Sequence, residues 1–395
     1  MKRNTLIFLL LGLSTYCVGQ FGYTDPVTNA EGSEYEFSKI IHLEATPVES
    51  QGNTGTCWSF SGTSFFESEL IRMGTKDPDL LSEMYIARKS YEGKAIKYIR
   101  LDGKGNFSQG GETHDIPFVI KNYGIVPAEI YPGLSYGTET HDHDELFKVL
   151  DGAVQGVLSH SKNKGKKPLS PSWRSALNGI LDAYFGEDIE SFEYKGKTYT
   201  PRTYADAIGL NMEDYISLTS FTNHEMNTIC TLEIPDNWTW GKSYNISLDD
   251  LVSTCEDAVR QGFSIAWATD VSENGFSFRN GLAINPVNTE TVENVGYGTN
   301  GFKKPVKEIE VTPELRQRGY DNKTTTDDHL MHIVGLYKDQ NGSKYFLVKN
   351  SWGTGNLPEG YLYVSQSYFK AKTMMVYLHK DGITKEVKKK IGVGN

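Results

Sequence analysis

Cys57 stands in the run Gln51-Gly52-Asn53-Thr54-Gly55-Thr56-Cys57-Trp58-Ser59-Phe60. A turn rich in Gly and Thr precedes it, and Trp58, Phe60, Phe65, Phe66 and Leu70 follow at helical spacing. That pattern predicts a buried helix with Cys57 at its start. Unpaired N–H groups and the helix dipole favour negative charge there, and a thiolate is the nucleophilic form of cysteine. Gln51, upstream in the same run, offers a side-chain amide N–H to a developing oxyanion. The alternative for Cys57 is a small hydrophobe packed in a core.

A nucleophilic thiol needs a base, and the base needs a group that orients it. Asp327-Asp328-His329-Leu330-Met331-His332 offers two histidines at the head of an apolar strand. Residues three apart on a strand point to opposite faces, so at most one of them faces the thiol. Spacing alone leaves that choice open. The next strand ends in Lys349-Asn350-Ser351-Trp352-Gly353. The side-chain oxygen of Asn350 can fix an imidazole tautomer, and Trp352 can shield that hydrogen bond from water. Gly110-Gly111 reads on spacing as an ordinary turn, although glycines also let a substrate backbone approach closely. His141 and His143 alternate with Asp142 and Asp144, which reads as a solvated loop or helix start; no metal site and no cofactor are expected.

The elements that must carry these residues follow from periodicity. Helices are expected over 80–98, 116–123, 141–160, 171–185, 203–210 and 248–261, and a hairpin around Lys195-Gly196. Strands are expected over 263–269, 331–337, 344–349 and 360–364, with turns at Gln340-Asn341-Gly342 and around 353–358. The helical side of the chain thus supplies the thiol, and the strand side supplies the base and its orienter.

The first nineteen residues read as a secretory signal peptide. Lys2 and Arg3 precede the apolar run Leu6–Leu13, and Cys17-Val18-Gly19 offers small residues before Gln20. The expected localisation is therefore periplasmic or extracellular. No later stretch is long and apolar enough to span a bilayer, so no stable membrane anchor is expected. Residues 20–36 are polar and aperiodic and read as a flexible leader. The 395 residues carry a formal charge of −10 and no basic run, which argues against nucleic acid as a partner. Loss of Cys17 would leave Cys57, Cys230 and Cys255. An odd count keeps at least one thiol free, with Cys230 and Cys255 either paired or both reduced.

Taken together, the motifs resemble the papain-like cysteine peptidases, and within them the bleomycin hydrolase and aminopeptidase C branch. The resemblance rests on Gln51 through Phe60, on Gln109-Gly110-Gly111 with Tyr123-Gly124-Ile125-Val126-Pro127 and Tyr131-Pro132, and on Asn350-Ser351-Trp352-Gly353. It implies an α+β papain-like fold, a helical half and an antiparallel β-barrel-like half with the cleft between, over residues 37–380. It settles the histidine: His329 stands six residues before Gly335, as the family's base does, and His332 becomes a packed core residue. It implies catalytic Cys57, His329, Asn350 and Gln51, with the Cys57–His329 pair as thiolate and imidazolium, substrate binding at Gly110 and Gly111, and shielding by Trp352. The expected partners are peptide or protein substrates, and a homo-hexamer is implied. The spacing from Cys57 to His329 far exceeds the family's roughly 130–150 residues, and residues 138–247 look like the branch's helical insertion. The same branch places its C-terminal tail in the cleft. Residues 381–395 would then act as a clamp, with the Asn395 carboxylate on the substrate amine, and the activity would be that of an aminopeptidase. A papain-like endopeptidase and a catalytically silent binding protein are the alternatives.

Overall fold

The structure is a computed structural model that describes residues 27–161, 168–287 and 300–394. Helix α1 (Cys57–Arg72) is buried along almost its whole length. It lies across the face of a mixed sheet, packed on β7 (Ile265–Thr269) and β10 (His329–Lys338). Helices α2 (Glu83–Arg100) and α3 (Asp115–Tyr123) pack around α1. Ser82 caps α2 by accepting from the Tyr85 N–H, and Gly124 ends α3 at φ 90°, a backbone setting that glycine adopts without strain.

The sheet runs β5 (Thr228–Cys230), β6 (Ser243–Asn245), β4 (Tyr215–Thr219), β13 (Thr373–His379), β7, β10, β11 (Lys344–Lys349), β12 (Tyr361–Ser365), β9 (Leu282–Ala283), β8 (Phe276–Ser277), and β1 (Ser38–His42) adds to β10. Most neighbours are antiparallel, and β12 with β9 and β4 with β6 are parallel. β7 alternates cleanly between two cores, and β13 does so from Met375 onward. Ala266 and Ala268 of β7 and Met375 and Tyr377 of β13 join the core of α1 to α3. Ile265, Trp267, Val376 and Leu378 face the other way, onto α7 (Leu248–Arg260). This period of two is what a sheet covered on both faces requires. The molecule has the papain-like α+β fold.

The inserted stretch is helical only in its first part. Helices α4 (Asp144–Ser161) and α5 (Ser172–Phe185) pack on each other and on α2. Leu146, Leu150, Val154, Leu177, Leu181 and Phe185 extend the core of α1, and buried Arg88 pairs with Asp182 at 2.5 Å. The hairpin β2 (Phe192–Tyr194) and β3 (Lys197–Tyr199) and helix α6 (Pro201–Ile208) follow. From Tyr215 onward the chain has rejoined the main sheet through β4 to β6, so the expected helical insertion at 138–247 is cut short by strand pairing.

Two expectations about the ends are corrected. The leader is not loose over its described part. Val27 pairs with Phe37, Asn29 is buried, and Phe37 stacks on both Tyr35 and Tyr363 while Tyr345 meets it edge-on. The tail does not enter the cleft. Helix α8 (Pro313–Asp321) and helix α9 (Gln366–Lys372) precede a last helix, α10 (Lys385–Ile391). Ile383, Val387 and Ile391 bury themselves in the α7 core, the face of the sheet opposite α1, and Lys390 pairs with Asp250 of α7 at 2.7 Å. Apolar burial fixes this segment far from the thiol, so the clamp is withdrawn. Asn395 itself and the signal sequence lie outside the described residues.

Candidate active site

Cys57 opens α1, where the first N–H groups have no intrahelical partner. The turn before it is held from three sides. Gln51 N–H donates to the Ser351 carbonyl at 2.9 Å, Asn53 N–H to the His141 carbonyl at 2.8 Å, and Gly55 N–H to Gln109 Oε1 at 2.8 Å. Trp58 Nε1 then donates to the Gln109 carbonyl at 3.1 Å, tying the Gly110-Gly111 loop to the start of α1.

His329 begins β10 and Asn350 follows the last residue of β11, so strand register brings them together. His329 Nε2 lies 2.7 Å from Asn350 Oδ1. That oxygen also accepts from the Ser351 N–H at 2.8 Å. Since Asn350 presents an acceptor, Nε2 must carry the ring hydrogen, and the lone pair is on Nδ1. The Trp352 ring covers the imidazole at 4.6 Å between centroids, and Phe276 and Phe278 flank it in turn.

The backbone N–H groups of Leu330, the residue after His329, and of Trp58 act on the Cys57 thiol and favour its charged form. Burial nevertheless pushes the thiol up to about 12, with Asp327 and Asp236 adding to the effect against those two N–H donors. Burial also lowers the His329 imidazole to about 4, against the Asn350 bond that favours its charged form. Both shifts oppose the charged forms of the expected thiolate–imidazolium pair. Desolvation outweighs the hydrogen bonds here.

Gln51 is buried and held at both ends. Ser351 Oγ donates to Oε1 at 2.7 Å, and Nε2 donates to the Thr54 carbonyl at 2.6 Å, which leaves one amide hydrogen uncommitted. His332 is packed under α1, with Nδ1 2.9 Å from Ser64 Oγ. His143 is buried against Tyr91, 3.1 Å from its hydroxyl. All three described cysteines are free and buried, so Cys230 and Cys255 stand as thiols. Among the described residues no set of three or more His, Cys, Asp or Glu side chains is arranged to hold a metal ion.

Gly110 and Gly111 do border this site, but not as an open groove. The Gly110 carbonyl accepts from buried Lys94, and the Asp236 carboxylate covers its Cα so closely that a Cβ would stand 1.9 Å from Oδ2. Gly111 is buried against Trp58 and Asp115. The residues missed at sequence level are Gln109, Ser351, Lys94, Glu112, Asp236 and Asp327. Glu112 directly follows the glycine pair and Asp327 lies two before His329. Their nearness to the motifs was visible, but their nearness to each other was not.

The peptidase C1-like family model matches residues 20–393. Aminopeptidase G of Lactobacillus delbrueckii subsp. lactis is 21% identical over 385 residues, covering 87% of this chain and 83% of that protein. Bleomycin hydrolase of Rattus norvegicus is 19% identical over 402 residues, covering 90% and 85%. The crystal structure of PepW from Lactobacillus rhamnosis HN001 superposes with a TM-score of 0.70 at 18% identity, over 90% of this chain and 84% of that one. With a thiol at a helix start, a His–Asn pair on adjoining strands and a family match over nearly the whole length, the chain belongs to the peptidase C1-like family.

Proposed function

We propose that this protein is a cysteine peptidase of the aminopeptidase C and bleomycin hydrolase type, exported by residues 1–19, that cleaves peptide bonds with Cys57, His329 and Asn350. The observation that carries the reading is the 2.7 Å bond from His329 Nε2 to Asn350 Oδ1, because it leaves Nδ1 free as a base at the strand end beside Cys57. His329 Nδ1 takes the thiol proton as Cys57 Sγ attacks the substrate carbonyl carbon. The oxyanion is held by the Cys57 N–H and the free hydrogen of Gln51 Nε2, each worth roughly 3 kcal/mol in such sites. The imidazolium gives its proton to the leaving amine. Water then attacks the acyl-thioester, His329 takes its proton, and the Cys57 thiol is restored as the acid leaves. Asn350 keeps the ring in the required tautomer throughout.

The relatives' names support removal of N-terminal residues. The docked tail favours a second reading, an endopeptidase, since no chain end within the described residues blocks the cleft. The test uses the mature protein, from Gln20, on a peptide with a free N-terminus and on its acetylated twin, with Cys57→Ala as control. Stepwise release from the free peptide alone, lost in the variant, is expected. Equal internal cleavage of both twins selects the endopeptidase, and no Cys57-dependent cleavage of either overturns the peptidase reading.

A further inference from the structure

With the tail docked on the far face, nothing described so far recognises a substrate's charged end. The wall of the site beside Gly111 carries an unbalanced set of carboxyl groups. Glu112 is fully buried, and its Oε1 receives no donor from the protein. Asp327 Oδ1 is equally without a donor. The two carboxyl groups are in hydrogen-bond contact with each other, and only a proton shared between them can make that contact favourable. Asp115, also fully buried, has Oδ1 unpartnered, while its Oδ2 accepts from the Glu112 N–H at 3.2 Å. Asp236 completes the set over Gly110, with Oδ1 held by Asn106 at 2.7 Å and Ser108 at 3.0 Å.

Among the described residues Lys94 is the buried cation that acts on Asp115, Asp236 and Glu112. It commits two of its three donors to the carbonyls of Ser108 and Gly110. Lys97, the next cation along α2, turns to the Trp238 carbonyl and the Trp240 ring. Burial raises Glu112 and Asp327 above the usual carboxylate range, and raises Asp115 to about 7, so the set holds protons for want of positive charge. Asp327 and Asp236 are both close enough to act on the charge of Cys57. Asp327 also stands two residues before His329, and Glu112 follows Gly111, which packs on Trp58 next to Cys57, so the set adjoins the catalytic residues.

We infer that Glu112 and Asp327, with Asp236 beside them, bind an alkylammonium group of the peptide substrate, its free N-terminus or a lysine side chain. This rests on the peptidase reading and replaces the clamp that the tail does not supply. An ammonium has three N–H donors in a compact head, which suits the orphaned oxygens of two facing carboxyl groups. On binding, the O–H bond of the shared proton breaks, that proton leaves to solvent, and the ammonium hydrogens take its place; the substrate's own covalent bonds are unchanged in this step. An exposed acidic surface would exert no such selection, whereas here the carboxyl groups are desolvated and charge-assisted bonds are strong.

The test compares wild type, Glu112→Gln and Asp327→Asn on fluorogenic amides. The panel holds one-residue and two-residue compounds with free amines, their acetylated twins, and an acetylated dipeptide with and without lysine at its first residue. The expected result is a fall of at least tenfold in the ratio of kcat/KM between cationic and neutral twins, in either variant, with Glu112→Asp recovering part of it. Loss confined to the free-amine compounds assigns the site to the N-terminus, and the one-residue and two-residue arms show which amine it takes. Loss confined to the lysine compound assigns it to the side chain. Unchanged ratios in both variants, each melting within a few degrees of wild type, overturn the inference and leave the peptidase reading standing. A wild type that cleaves no member of the panel removes both.

Discussion

Lys349 should be worth more to this fold than any surface charge, and the reason lies directly behind the active site. It precedes Asn350 and is buried between β11 and α1. Its Nζ donates to Ser64 Oγ at 2.8 Å and to Thr46 Oγ1 at 3.1 Å. Thr46 donates in turn to Glu67 Oε2 at 2.5 Å, and Glu67 Oε1 accepts from the Leu81 N–H at 2.8 Å. The chain of bonds thus runs from β11 through α1 to the start of α2, beside a cavity of about 20 Å³ lined by Phe60, His332 and Asn350 among others. Lys349→Met removes the cation and leaves Glu67 buried without it. Breaking one side of such a network costs roughly 3–5 kcal/mol. Burial already holds Glu67 above the usual carboxylate range, so it can take up a proton and limit the loss to about 3 kcal/mol, the lower end of that range. At about 2.1 cal/mol/K per residue over the roughly 350 described residues, 3–5 kcal/mol corresponds to a fall of about 4–7 °C in Tm. Differential scanning calorimetry of Lys349→Met, Glu67→Gln and the double variant measures it. The double variant should recover at least about 1 kcal/mol relative to the sum of the singles, because neither partner is then left alone. A Lys349→Met protein melting within 1 °C of wild type, or strictly additive singles, would refute the reasoning.

Two further outcomes follow from the same structure. Asp115 has a folded pKa of about 7 against 3.8 for the free group, so its protonated form is favoured by folding and its contribution is lost as pH rises between those values. Asp115→Asn should therefore match wild type in urea unfolding near pH 4 and exceed it by up to about 4 kcal/mol above pH 7; a difference that does not grow with pH contradicts the assignment. Deleting residues 383–394 strips Ile383, Val387 and Ile391 from the α7 core, at roughly 1.5–3 kcal/mol per side chain. Thermal melting should fall sharply with cleavage positions unaltered, whereas unaltered melting with new internal cleavage would restore the clamp.

The local chemistry was legible in the residues themselves. A cysteine after a glycine turn and before a helical apolar stripe can only present its thiol at a helix start, and α1 begins at Cys57. Strand parity allowed only one of the two histidines to face the thiol and left open which one, and the Asn-Ser-Trp-Gly run announced an orienter. Helix and strand positions followed for the same reason, since periods of 3.6 and 2 are local properties. What the sequence left undetermined depended on which distant segments share space. The tail looks like a frayed Lys-rich end until α7 offers a groove for Ile383, Val387 and Ile391. The polar leader looks loose until Tyr363 stacks on Phe37 and Tyr345 meets it edge-on. The ionisation of the thiol is equally non-local, because it answers to burial, and burial is a sum over every neighbour. Glu112, Asp236 and Asp327 are acidic residues in three separate stretches. Only the folding of β10 against the Gly110-Gly111 loop makes them one electrostatic object, because Coulomb energy depends on distance in space and carries no mark in chain order.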